Sequence, residues 1–132
     1  MADDRPWITC HVLDTVAGKP AAGIQVTLSF DFEGKVVQLS ATTNSDGRVT
    51  GWTSDSTSQT QALNEYVDKV RRELGPEHLY SFEMTFFTEQ YWSSGSSFYP
   101  YVKIPFLAKL GEGHYHVPLL MSPWSYTTYR GS

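Results

Sequence analysis

Trp7-Ile8-Thr9-Cys10-His11-Val12-Leu13-Asp14 reads as a β-strand. Side chains two apart on a strand share a face. Trp7, Thr9, His11 and Leu13 therefore lie on one side, and Ile8, Cys10, Val12 and Asp14 on the other. The second set suits a buried face, with its one carboxylate at the end of the run. The parity has a chemical consequence: His11 and its neighbour Cys10 point apart, so the thiol is not placed to work with the imidazole. The plain reading of Cys10 is a small buried hydrophobe.

Downstream the same alternation recurs. Thr15 to Gly23, with two glycines and Pro20, is a loop leading to a strand from Ile24 to Phe32, and Glu33-Gly34 turns into another from Lys35 to Thr43. Asn44-Ser45-Asp46-Gly47 is a tight-turn sequence, because Asn, Asp and especially Gly tolerate positive φ and Asx side chains bond the backbone locally. Arg48 leaves that turn, and a short strand is expected from Val49 to Thr53. Ser58-x-x-Gln61 has the form of a capping box. Leu63, Tyr66, Val67, Val70 and Leu74 follow at helical spacing until Gly75-Pro76, predicting a helix over Gln59 to Leu74 whose apolar stripe packs on a sheet. Leu79 to Thr88, Tyr99 to Leu107, His114 to Met121 and Trp124 to Arg130 complete the strands, with Glu89 to Ser97 a loop or short helical turn. About eight short strands and one helix predict a mainly-β sandwich of paired antiparallel sheets.

With 132 residues, 40% hydrophobic and 18% charged, the chain has the size and composition of a single folded domain spanning 1–132. A net charge of −4 with no Lys/Arg run supplies no electrostatic footprint for nucleic acid. No apolar run approaches the ~18 residues of a membrane span, and Met1 to Pro6 lacks the basic start and apolar stretch of a signal peptide. Cys10 is the only cysteine, so no intrachain disulfide forms. A cytoplasmic address is expected. The terminal Arg130-Gly131-Ser132 is not the common peroxisomal tripeptide, which leaves a peroxisomal address unsupported but open.

Candidate chemistry is sparse. Four histidines are present, and His114-Tyr115-His116 on a strand projects two imidazoles from one face, shared with Pro118 and Leu120. The plainer reading of such a pair is surface or hydrogen-bonded core histidines. A zinc set of two strand histidines and a third is permitted, but no Glu or Asp is visibly placed as its base or outer support. Arg48 taken alone reads as a solvated turn residue, and His78, beside Glu77, as a surface one.

Four stretches taken in order resemble the 5-hydroxyisourate hydrolases, relatives of transthyretin. They are His11-Val12-Leu13-Asp14 with Gly18-Lys19-Pro20-Ala21, Thr43-Asn44-Ser45-Asp46-Gly47-Arg48, His114-Tyr115-His116-Val117-Pro118-Leu119-Leu120, and Ser122-Pro123-Trp124 through Tyr129-Arg130-Gly131-Ser132. The first two occur in generic prealbumin-like modules and argue fold; the last two argue activity. The resemblance covers about Ile8 to the last residue. It departs between Trp52 and Tyr80, where the helix looks longer than the short connection expected.

The resemblance implies a transthyretin-like sandwich and a homotetramer, a dimer of dimers meeting around a central channel lined by the first strand and the last two. His11, Leu13, His116, Pro118, Leu120, Thr127 and Tyr129 would face that channel. It also implies an enzyme with no metal and no organic cofactor, opening a cyclic amide of 5-hydroxyisourate to give 2-oxo-4-hydroxy-4-carboxy-5-ureidoimidazoline in urate breakdown. One of His11 and His116 would activate water and the other donate a proton. Arg48 would orient ring oxygens, while Tyr129 and Ser132 close the substrate end. A transthyretin-type carrier of small aromatic ligands is the rival reading; ionisable groups in the channel favour hydrolysis over it.

Overall fold

The computed structural model describes residues 6–54, 57–58 and 60–132. The first sheet takes the strands β1 (Ile8–Asp14), β2 (Lys19–Pro20), β5 (Arg48–Val49), β10 (Tyr115–Met121) and β11 (Tyr126–Thr128), ordered β11-β10-β1-β2 with β5 also against β1. The second takes β3 (Gln25–Phe32), β4 (Lys35–Thr42), β6 (Thr53–Ser54), β7 (Thr57–Ser58), β8 (Leu79–Phe87) and β9 (Val102–Lys109), ordered β7-β6-β4-β3-β8-β9. One helix, α1 (Thr60–Leu74), interrupts them. This is the mainly-β sandwich the alternation predicts. One pairing is not antiparallel: β1 runs parallel to β10, with Thr9 beside His116 and His11 beside Pro118.

Strand parity sorts the core. Ile8, Cys10, Val12 and Asp14 are buried while Thr9, His11 and Leu13 are half-buried, and on β10 Tyr115, Val117, Leu119 and Met121 turn inward. They meet Val26, Leu28, Met84 and Phe86 of the second sheet in one apolar core. Asp14 is tolerated there because its Oδ1 accepts the Val16 and Ala17 amides and its Oδ2 the Tyr91 hydroxyl, 2.7 Å away. Burial alone raises a carboxyl pKa, but these donors outweigh it and hold Asp14 below the usual range. The helix buries Leu63, Val67 and Val70 and sets Tyr66 on Phe30 and Phe32, whereas Leu74 is exposed. Its stripe therefore packs on the sheet, one residue shorter than the periodicity suggests. The capping side chains of Ser58 and Gln61 lie outside the described residues.

Three local expectations are corrected. Trp7 precedes β1 and turns into the core against Phe82 and Tyr115, its indole N–H donating to the Glu112 carbonyl, so it does not share the open face with Thr9 and His11. The strand expected from Val49 to Thr53 is two pieces on different sheets, β5 and β6. The crossing is fixed by Trp52, which is fully buried and donates from its indole to the Ile8 carbonyl at 2.8 Å. The last strand shortens to β11, after which Gly131 alone bridges back to His116.

Candidate active site

The functional side chains are set by strands or by a turn fastened to one. In the Asn44–Arg48 turn, Asn44 Oδ1 accepts the Asp46 and Arg48 amides at 2.9 and 3.0 Å. Gly47 has φ +73° and its carbonyl accepts the Val12 amide at 2.7 Å; a Cβ there would collide with the Val12 carbonyl oxygen. Only glycine fits, in conformation and in space. The turn is thereby locked onto β1 and delivers Arg48 directly across from His11.

On the other side of β1 stands β10. Its His116 ring lies with its centroid 6.4 Å from that of His11. His11, Arg48 and His116, from three strands far apart in sequence, thus share one face of the first sheet. Arg48 is exposed and His11 and His116 are half-buried. Partial desolvation, then the Arg48 guanidinium, lower the pKa of both imidazoles below the ordinary histidine value; the two neighbouring histidines add to the effect at His116. Two influences oppose this at His11: its Nε2–H donates to the Asp46 carbonyl at 2.9 Å, and the Asp46 carboxylate adds a smaller attraction, both favouring the imidazolium.

The remaining residues are placed less centrally. Tyr129 is 57% exposed and borders a recess of about 230 Å³ with His116, Phe106, Tyr115 and Arg130. His11 and Arg48 stand outside that recess, on the open sheet face. Ser132 is exposed and makes no hydrogen bond among the described residues. Arg130, which parity alone leaves unplaced, stacks its guanidinium 4.5 Å from the Tyr115 ring and reaches Glu112 at 3.7 Å. Gly131 closes over His116: its amide donates to the His116 carbonyl, and a Cβ would sit 2.7 Å from the imidazole Cδ2.

Two further residues join the site: His114, which the His-x-His pattern already sets beside His116, and Thr9, which the sequence does not single out. Thr9 Oγ1 lies 2.7 Å from His116 Nδ1 and 3.0 Å from His114 Nε2. The signal was present in the parity, since Thr9 shares a face with His11 and His114 with His116, but which strand lies beside β1 is a tertiary fact. Cys10 is fully buried on the opposite face, with burial pushing its pKa up to about 12, which leaves it no nucleophilic part. His78 is exposed and remote, beside Tyr80. Among the described residues no group of three His, Cys, Asp or Glu side chains is arranged to hold a metal ion, and no described helix is long and apolar enough to cross a membrane.

The chain is similar to known proteins over nearly its whole length. Residues 8–131 match the model of the HIUase/Transthyretin family. A probable 5-hydroxyisourate hydrolase of Schizosaccharomyces pombe is 41% identical, covering 96% of this chain and 92% of its own. The 5-hydroxyisourate hydrolase of Mus musculus is 38% identical with both chains fully covered. Among solved structures, the 5-hydroxyisourate hydrolase of Klebsiella pneumoniae superposes with a TM-score of 0.64 at 26% identity, over 95% of this chain and 98% of that one. The family model and the relatives, each matched over nearly the full length, agree with the fold: the chain belongs to the HIUase/transthyretin family.

Proposed function

We propose that this protein hydrolyses 5-hydroxyisourate, and that His11, Arg48 and His116 carry the reaction without a metal or organic cofactor. The observation that carries the reading is the convergence of two imidazoles and one guanidinium on a single open face, with both imidazoles held toward the neutral form. Opening a cyclic amide consumes one water. Its oxygen adds to the ring carbonyl as a base takes its proton, the C–N bond breaks, and the freed nitrogen is protonated. A neutral imidazole accepts the water proton, the second histidine returns one to nitrogen, and the forked Arg48 donors hold ring oxygens and the oxyanion. Tyr129 and Ser132 close the substrate end.

The face bearing His11 and Arg48 is open in a single chain, whereas small-molecule sites bury most of their ligand. A second subunit must supply the other wall. This supports a homotetramer, a dimer of dimers, with clefts formed between subunits. A channel set with charged and hydrogen-bonding groups suits a polar purine-derived ring and not the apolar ligand of a carrier. The test is the decay of freshly generated 5-hydroxyisourate followed with and without the protein. Acceleration is expected and should survive chelator treatment. Tight binding of iodinated aromatics with no acceleration would replace the hydrolase by the carrier.

A further inference from the structure

Thr9 Oγ1 sits between two ring nitrogens, His116 Nδ1 at 2.7 Å and His114 Nε2 at 3.0 Å, while His114 Nδ1 lies 3.1 Å from the Pro6 carbonyl oxygen. We propose that Thr9 and His114 are positioning residues that hold His116 in the Nδ1–H tautomer, leaving its Nε2 lone pair as the acceptor of the water proton.

With His114 neutral, the direction of every bond follows from what each atom can do. The Pro6 carbonyl only accepts, so His114 Nδ1 carries the hydrogen. A neutral His114 then has a bare Nε2, which only accepts. The single Thr9 hydroxyl proton goes to it, and Thr9 Oγ1 in turn accepts from His116 Nδ1–H. Neutral His116 is left with its lone pair on Nε2, which has no protein partner among the described residues. Gly131 packs against the adjacent Cδ2, fixing the ring plane without covering that atom by a side chain. When Nε2 takes a proton, the resulting imidazolium still donates from Nδ1, so nothing upstream has to turn.

The chain also separates the two histidines in role. The groups facing His116 are Arg48 from β5, His11 from β1 and His114 ahead of β10, none of which favours its charged form. His11 has the Asp46 carbonyl on its Nε2–H and the Asp46 carboxylate near it, both of which do. Both imidazoles are lowered, but only His11 has groups that favour its charged form and only His116 has Nε2 free of a protein partner among the described residues, and on that difference His116 becomes the base and His11 the acid.

The inference rests on the hydrolase reading for its purpose, but its first test does not. The His116 tautomer is read from long-range ¹H–¹⁵N correlations of the substrate-free, uniformly labelled protein, with His116→Asn identifying the ring. An Nδ1–H tautomer above the His116 titration is expected, and an Nε2–H tautomer overturns the proposal whatever the kinetics. In Thr9→Val and His114→Phe the tautomer should be lost. Their kcat/KM should fall by about tenfold to a hundredfold, part of the ~10²–10⁴ that a positioned base contributes, with Thr9→Ser restoring both readings. Folded Thr9→Val with an unchanged tautomer, or with an altered tautomer at the full rate, contradicts it. A correct tautomer in a wild-type protein that does not hydrolyse the substrate refutes the hydrolase reading instead.

Discussion

His116 and His11 differ less in kind than in what touches their rings. Desolvation and the Arg48 charge lower both pKa values, so the neutral, proton-accepting form persists to a lower pH than the ordinary imidazole value of about 6.5. For a base the sign is direct: kcat/KM should rise with pH along an acid limb centred below that value. Replacing Arg48 by Met removes a positive charge, so protonation becomes easier and the limb should move up in pH as well as the rate falling. A pH–rate profile of the variant checks this, and an acid limb that stays put or moves down would show that Arg48 does not act on the imidazoles. At this scale the candidate catalytic residues were legible in the sequence, because His11, Arg48 and His116 each fall in a quotable motif. Thr9 was not: parity sets it on the face of His11, but its role depends on a neighbour 107 residues away.

At the level of elements, the Asn44–Arg48 turn and β10 do separable work. Gly47→Ala sets a Cβ against the Val12 carbonyl at φ +73° and should cost about 1–3 kcal/mol, read as a lowered unfolding free energy with a partial loss of activity as Arg48 shifts. Unchanged stability would mean the turn is not locked to β1 as described. Val117→Ala truncates a residue 6% exposed on the core face and should destabilise by about 0.5–3 kcal/mol while the folded fraction keeps most of its turnover. Loss of turnover at full stability would invert the β10 parity. Local patterns gave β1, the β3–β4 hairpin and the helix with small boundary errors, because alternation, turn residues and helical spacing are local. The split of β5 from β6 was hidden. It depends on Trp52 reaching Ile8, 44 residues away, and no window around Val49 to Thr53 contains that partner. The parallel neighbourhood of β1 and β10 was hidden for the same reason.

For the whole molecule, the open face of the first sheet is the main consequence of the fold. If each cleft needs a wall from a second subunit, specific activity should fall on dilution together with dissociation, followed by sizing and assay at matched concentrations. Full specific activity in a demonstrated monomer would refute shared clefts. Membership of the family was readable from four ordered motifs, whereas assembly is a property of surfaces that no strand pattern specifies. The central claim is that an imidazole on this face performs the chemistry, and it is tested most directly by kcat/KM for 5-hydroxyisourate in wild type and His116→Ala, measured side by side on preparations of matched thermal stability. A fall of about 10²–10³, or about 3–4 kcal/mol of transition-state stabilisation, is predicted, since a proton carrier is lost from a face that bears little of the core. An unchanged kcat/KM in the folded variant would contradict the account.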